Sequence, residues 1–123
     1  MKPSIDNDWI SIYPHQWDGL EGNIMALRGR IDVLKASKLR QQIINTTADR
    51  PMLVLFDMQD VMFLDSAGLG SLIFGVKHIT GLGGEVAFCS LHDQPRALFG
   101  LANVEKLFPI YENRESFNQA KRT

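Results

Sequence analysis

The sequence predicts an α/β domain: a mixed, mostly parallel sheet of about five strands with four helices, in the order ββαβαβαβα. Three observations lead there. Met52-Leu53-Val54-Leu55-Phe56 is an unbroken apolar run, the mark of a strand buried on both faces. Segments 33–48 and 66–80 carry apolar residues three and four apart, the period of a helix with one buried side. Strand-like and helix-like segments then alternate to the C-terminus, which implies a parallel sheet with right-handed crossovers.

The elements follow in order. Residues 1–8 are polar and are expected to fray. Trp9-Ile10-Ser11-Ile12-Tyr13 suggests a strand, and Pro14 places it at an edge. Asp18-Gly19 and Gly22 mark a turn. Residues 23–31 alternate, with Met25, Leu27 and Ile31 on one face and Arg28 and Arg30 on the other, completing a hairpin. Asp32 is placed to cap the first helix. That helix would bury Ala36, Leu39, Ile43 and Ile44 and leave Lys35, Lys38, Arg40 and Gln42 to solvent, with Pro51 ending the connection. A second helix should begin near Ser66, bury Leu69, Leu72, Ile73, Val76 and Ile79, and stop at Gly81 and Gly83-Gly84. Residues 85–90 read as another buried strand. Asp93 and Pro95 open a third helix with Leu98, Leu101 and Ala102 inward. Residues 107–111 read as a short strand with Pro109 at an edge, and Asn113 caps a last helix anchored by Phe117 and Ala120.

The bulk properties narrow the function. A chain of 123 residues suits one domain with one core, here residues 9–121. Hydrophobic residues at 45% and charged residues at 22% are the balance of a folded globular protein. With a net charge of -1 and scattered cations, nothing draws the chain to nucleic acid. Cys89, the single cysteine, lies in the apolar run Val86-Ala87-Phe88-Cys89 and reads as a buried, inert thiol. No apolar stretch approaches the ~20 residues that span a bilayer. The first residues lack the apolar region of a signal peptide, so the expectation is a cytoplasmic protein without direct membrane insertion.

The segment Val61-Met62-Phe63-Leu64-Asp65-Ser66-Ala67-Gly68-Leu69-Gly70 joins the central strand to the second helix. In an open α/β sheet, partners and ligands meet the loops at the carboxyl ends of strands. Ser66 falls in the first helical turn, where backbone N–H groups lack partners and favour an anion. Gly68 and Gly70 would leave the surface bare of side chains. Asp65 would cap the helix and would repel a phosphate on its neighbour, so phosphorylation would change the surface and leave the core alone. A serine at a helix start is, on its own, most often just an N-cap.

The wider sequence resembles a STAS domain, the fold shared by anti-sigma factor antagonists and sulfate-transporter tails. Gly29-Arg30-Ile31-Asp32 resembles the family's Gly-x-Leu-Asp step into the first helix. Met52-Leu53-Val54-Leu55-Phe56-Asp57 followed by Val61 resembles its central strand and acidic turn. Residues Phe63 through Gly70 resemble its phosphoserine signature, and Gly83-Gly84-Glu85-Val86-Ala87-Phe88-Cys89 its next strand. The likeness runs from about residue 9 to residue 121. It implies a non-enzymatic partner switch without a cofactor. The unphosphorylated antagonist would bind an anti-sigma factor that is also a serine kinase of GHKL type. Phosphorylation of Ser66 would release it, and a PP2C-type phosphatase would reset it. Asp32 and Asp65 would flank the phosphoacceptor, and Ala67, Gly68 and Leu69 would lie with them in the contact surface. Ala67 stands where the family often has a second hydroxyl, which leaves Ser66 as the single acceptor. The chain would be a monomer or weak homodimer. The alternative is a constitutive STAS subunit of a lipid- or anion-transport complex.

Other chemistries fit less well. Leu64 stands where a nucleophile elbow needs its first glycine, and His15, His78 and His92 have no motif around them, which argues against a hydrolase. Gly68-Leu69-Gly70 lacks the Lys-Ser/Thr of a phosphate loop, and His92-Asp93 has no metal-ligand spacing. Trp9, Tyr13 and Trp17 share one face of the first strand and either cover the end of the sheet or form an aromatic patch for self-association.

Overall fold

The computed structural model describes residues 5–48 and 52–122. Pro51, expected to end the connection after the first helix, lies outside the described residues, as do residues 1–4. The strands are β1 (Ile5–Asp6), β2 (Ile10–Trp17), β3 (Leu20–Ile31), β4 (Leu53–Leu64), β5 (Glu85–Cys89) and β6 (Ile110–Tyr111). The helices are α1 (Val33–Thr46), α2 (Ser66–Gly81), α3 (Asp93–Leu101) and α4 (Arg114–Ala120). All five expected strands and all four helices are present in the expected order. The two-residue β1 adds to the edge, so part of the stretch expected to fray pairs instead with Ser11 and Ile12.

The sheet order is β1-β2-β3-β4-β5-β6, antiparallel through β3 and parallel from β3 onward. Asp18 and Gly19 turn the β2–β3 hairpin with φ of 52° and 89°, a two-residue turn with both central residues left-handed. Gly22 is not part of that turn. It lies inside β3 opposite Leu53, where a Cβ would stand 2.0 Å from the Leu53 carbonyl oxygen.

Sequential parallel strands with same-handed crossovers place their helices on one side. The main core accordingly gathers Leu39 and Ile43 of α1, Leu72, Val76 and Ile79 of α2, and Phe99 of α3 against Met25, Leu27, Val54, Phe56 and Phe88 of the sheet. The other face of the sheet carries a smaller cluster of Trp17, Ile24, Leu53, Leu55, Ala87 and Cys89, plugged by Phe117 of α4. Trp17 is buried there and donates Nε1–H to Asn118, and Tyr13 packs beside it. Trp9 precedes β2 and packs against the main core instead, so the three aromatics do not share a face.

Two helix faces differ from expectation. On α3 the inward anchor is Phe99, while Leu101 is 85% exposed and Ala102 is exposed. Phe99 sits edge-on to both Phe88 and Phe108, and that aromatic group sets the rotation of a helix only nine residues long. On α4 only Phe117 is buried, and Ala120 is exposed.

β4 runs through Leu64, well past the apolar run that announced it. Its inward residues step by two through Val54, Phe56 and Met58, then by three to Val61 and Leu64. Each three-residue step is a bulge, matched by the register shifts against β3 between Ala26 and Arg28 and between Gly29 and Arg30. Gly29, between them, has φ of 80°, a left-handed conformation that favours glycine. These bulges carry the strand past its neighbours and set where α2 begins.

Candidate functional site

The site forms where β3 and β4 end side by side, Ile31 opposite Leu64, and both chains turn into helices. Asp32 is the N-cap of α1 and accepts from Leu34 N–H at 3.1 Å. Asp65 is the N-cap of α2, its Oδ1 accepting from Gly68 N–H at 2.7 Å. The other oxygen of Asp65 accepts from Val33 N–H of α1 at 3.0 Å. One carboxylate therefore satisfies an orphan donor on each of two helices and fixes their starts relative to one another. Asp65 N–H donates to the Ile31 carbonyl at 3.3 Å, closing the same junction through the backbone.

Ser66 follows as the first residue of α2 and is exposed. The cap is Asp65, so the hydroxyl of Ser66 is not needed to start the helix. Ala67 is half-buried. Gly68 and Leu69, expected in the contact surface, are buried within the chain. A Cβ on Gly68 would stand 2.1 Å from the Ile31 carbonyl oxygen, so this glycine lets α2 rest against the end of β3 and does not bare a surface for a partner. Gly70 is half-buried, and a Cβ on it would stand 3.8 Å from Nη2 of Arg40 on α1.

The exposed ground around Ser66 is apolar in a way the motif does not foretell. Val33 is 66% exposed, Leu34 81% and Met62 58%. Val33 and Leu34 occupy the first turn of α1 beside the Asp65 carboxylate, and Met62 lies two residues before the end of β4. Leu34 is out of phase with Ala36, Leu39 and Ile43, a signal legible in the sequence. Gln94 of α3 was also missed. Its amide accepts from Leu64 N–H at 2.8 Å and donates to the Leu64 carbonyl at 2.9 Å, holding the last residue of β4 like a neighbouring strand. Nothing in its sequence context marks it.

The three histidines are engaged elsewhere. His92 bonds the Gln59 carbonyl at 2.6 Å, His78 stacks on Phe74, and His15 lies against Trp17. A depression of about 570 Å³ lies at the opposite, hairpin end of the sheet, lined by Pro14, His15, Gln16, Glu21, Gly22, Asn23 and Met52. Cys89 is fully buried, and burial, reinforced by the Asp57 carboxylate, pushes its thiol up to about 12. Asp57 is itself buried and paired with Arg114, tying β4 to α4 on the second face. No group of three or more His, Cys, Asp or Glu side chains able to hold a metal occurs among the described residues. No helix among the described residues is long and apolar enough to cross a membrane.

The mixed sheet with four helices, in which Ser66 opens α2 at the carboxyl end of β4, fits a STAS domain, and the STAS family model matches residues 17–117. The chain belongs to the STAS domain family. Within it, the chain is 29% identical over 91 residues to an anti-sigma F factor antagonist of Paenibacillus polymyxa, covering 73% of this chain and 78% of that one. The crystal structure of an anti-sigma factor antagonist from Mycobacterium paratuberculosis superposes with a TM-score of 0.75 at 26% identity, covering 93% of this chain and 95% of that one. The Bacillus cell fate determinant SpoIIAA in its phosphorylated form shares the fold, with a TM-score of 0.69 at 12% identity over 90% of this chain and 98% of that one.

Proposed function

We propose that this protein is an anti-sigma factor antagonist that works by partner switching in the cytoplasm. Its unphosphorylated form binds an anti-sigma factor that is a serine kinase of GHKL type. Phosphorylation of Ser66 releases it, and a PP2C-type phosphatase restores it. The observation that carries this reading is the position of Ser66: exposed, first in α2, and relieved of capping duty by Asp65. A hydroxyl so placed is free to be modified without cost to the fold. The likeness to named anti-sigma factor antagonists supports the same reading.

The contact surface in this proposal comprises Asp32, Asp65, Ser66 and Ala67, with Val33, Leu34 and Met62 as its apolar rim. Gly68 and Leu69 support that surface from beneath. A phosphate would bring about -1.5 to -2 charges into a patch that a partner must desolvate. Breaking a buried polar contact at an interface costs ~2–5 kcal/mol, or roughly 30-fold to several thousand-fold in affinity. The test is calorimetric titration of the protein with the anti-sigma kinase from the same genome, followed by phosphosite mapping after incubation with ATP. Ser66→Ala should bind in the presence of ATP, and Ser66→Asp should bind weakly. Equal binding by both variants, or a stable complex indifferent to ATP, would overturn the switch.

A further inference from the structure

Phe74, Gly70 and Ser66 form a row on α2, each one helical turn from the next. Arg40 of α1 lies across this row. Its guanidinium stands over the Phe74 ring, 5.9 Å from the centroid, and its Nη2 is 3.8 Å from where a Cβ on Gly70 would be. The side chain is exposed, and among the described residues no carboxylate pairs with it. Neighbouring cations are occupied elsewhere: Lys35 donates to the Arg30 carbonyl and lies over Trp9, and the Arg30 guanidinium lies over Phe63. Because residues four apart on a helix have Cβ atoms about 6 Å apart, the Arg40 guanidinium is within roughly 10 Å of the Ser66 Cβ before any movement. Gly70 leaves that path clear.

We propose that Arg40 is an intramolecular clamp for a phosphate on Ser66. On phosphorylation the guanidinium leaves the Phe74 ring, crosses Gly70 and pairs with the phosphate through the two-pronged geometry suited to that anion. The carboxylates at this junction are Asp65, next to Ser66 in the chain, and Asp32, the cap of the adjoining helix, and both are already committed to N–H groups of Gly68, Val33 and Leu34. Neither neutralises a phosphate, and both repel it, so an unpaired cation one turn away is the group that offsets the new charge. The clamp would prolong the released state by holding the phosphate against its own surface. This inference rests on Ser66 being the phosphorylated residue.

The test places phosphoserine at position 66 by genetic encoding, so it needs no kinase. The second ionisation of the phosphate is followed by phosphorus NMR in the full chain, alone and with Arg40→Gln or Gly70→Leu. Pairing with a guanidinium favours the doubly charged phosphate, so removing Arg40 should raise that pKa by about one unit. Gly70→Leu keeps the charge and blocks the path, and should raise the pKa similarly. Unchanged values in both variants would overturn the clamp while leaving the partner switch standing. A kinase that ignores Ser66 would overturn the switch while leaving the measured pKa difference intact.

Discussion

Asp65 should be the residue on which the geometry of the site depends, and its removal has a magnitude that the structure sets. Its two oxygens serve separate helices, accepting from Gly68 N–H at 2.7 Å and from Val33 N–H at 3.0 Å. Replacing an N-cap aspartate with alanine costs about 1 kcal/mol, within a range of 0.5–2. The Val33 bond adds roughly 1 kcal/mol, taken from the low end for a charged acceptor because this amide is exposed. Asp65→Ala should therefore lose about 2 kcal/mol by the sum of these two terms. Asparagine has one acceptor oxygen and can keep the α2 cap while losing the α1 bond, so Asp65→Asn should lose about 1 kcal/mol. With a slope of roughly 1.5 kcal/mol per molar urea, the midpoints should fall by about 1.3 M and 0.7 M respectively. Equilibrium urea unfolding followed by circular dichroism reads both. If alanine and asparagine were equivalent, the bond to Val33 would contribute nothing and the two helices would not share a cap. If both lay within 0.3 kcal/mol of the parent, the carboxylate would be an ornament of the surface.

Two further perturbations check the support beneath the site and the second core. Gly68→Ala places a Cβ 2.1 Å from a backbone oxygen that has little room to retreat, whereas Gly70→Ala meets nothing nearer than 3.8 Å. Alanine gains about 1 kcal/mol over glycine in a helix interior, while overpacking costs ~1–3 kcal/mol and is greatest against backbone. Gly68→Ala should thus lower the thermal midpoint and Gly70→Ala should raise it; a rise in both would refute the close contact between α2 and β3. Cys89 predicts an alkaline limb in stability. Its folded thiol ionises at about 12 against an ordinary 9.0, because burial penalises the thiolate. The stability this contributes is intact below 9.0 and is lost as the pH rises towards 12. Between pH 8 and 11 the parent should lose urea resistance more steeply than Cys89→Ala, and parallel slopes would count against the burial of the thiol.

What was legible in the sequence was whatever depended on local periodicity and capping. Asp32 and Asn113 cap the helices they were expected to cap, and Asp65 takes the capping role anticipated for the unmodified chain. Leu53 through Phe56 of the apolar run do lie in a central strand of the sheet, and Met52 stands just before it. What escaped were features settled between distant elements. The carbonyl of Ile31 decides that Gly68 is a packing glycine, and no pattern around Gly68 could reveal a neighbour 37 residues away. The inward face of α3 is chosen by Phe88 and Phe108, which lie on either side of it in sequence, whereas period alone points Leu101 to the core. Gln94 reaches 30 residues back to Leu64. The extension of β4 to Leu64 was hidden because two bulges break its alternation, though the spacing of Met58, Val61 and Leu64 records them.

The same contacts bear on how a switch at Ser66 would be read. A phosphate could act by moving α2 or by altering the surface α2 presents. Moving the start of α2 would separate Gly68 from the Ile31 carbonyl, strip the Asp65 cap from two helices and pull against the Gln94 amide that holds Leu64. Those bonds are worth several times the ~0.3–1 kcal/mol that a phosphate exchanges with a helix terminus. The frame should therefore stay where it is. The discrimination then has to lie in the partner's contact with a fixed surface, where an added dianion sits among Asp32, Asp65 and the exposed Val33, Leu34 and Met62. Ser66 suits such a switch because the start of α2 rests on the Asp65 carboxylate and not on the serine hydroxyl.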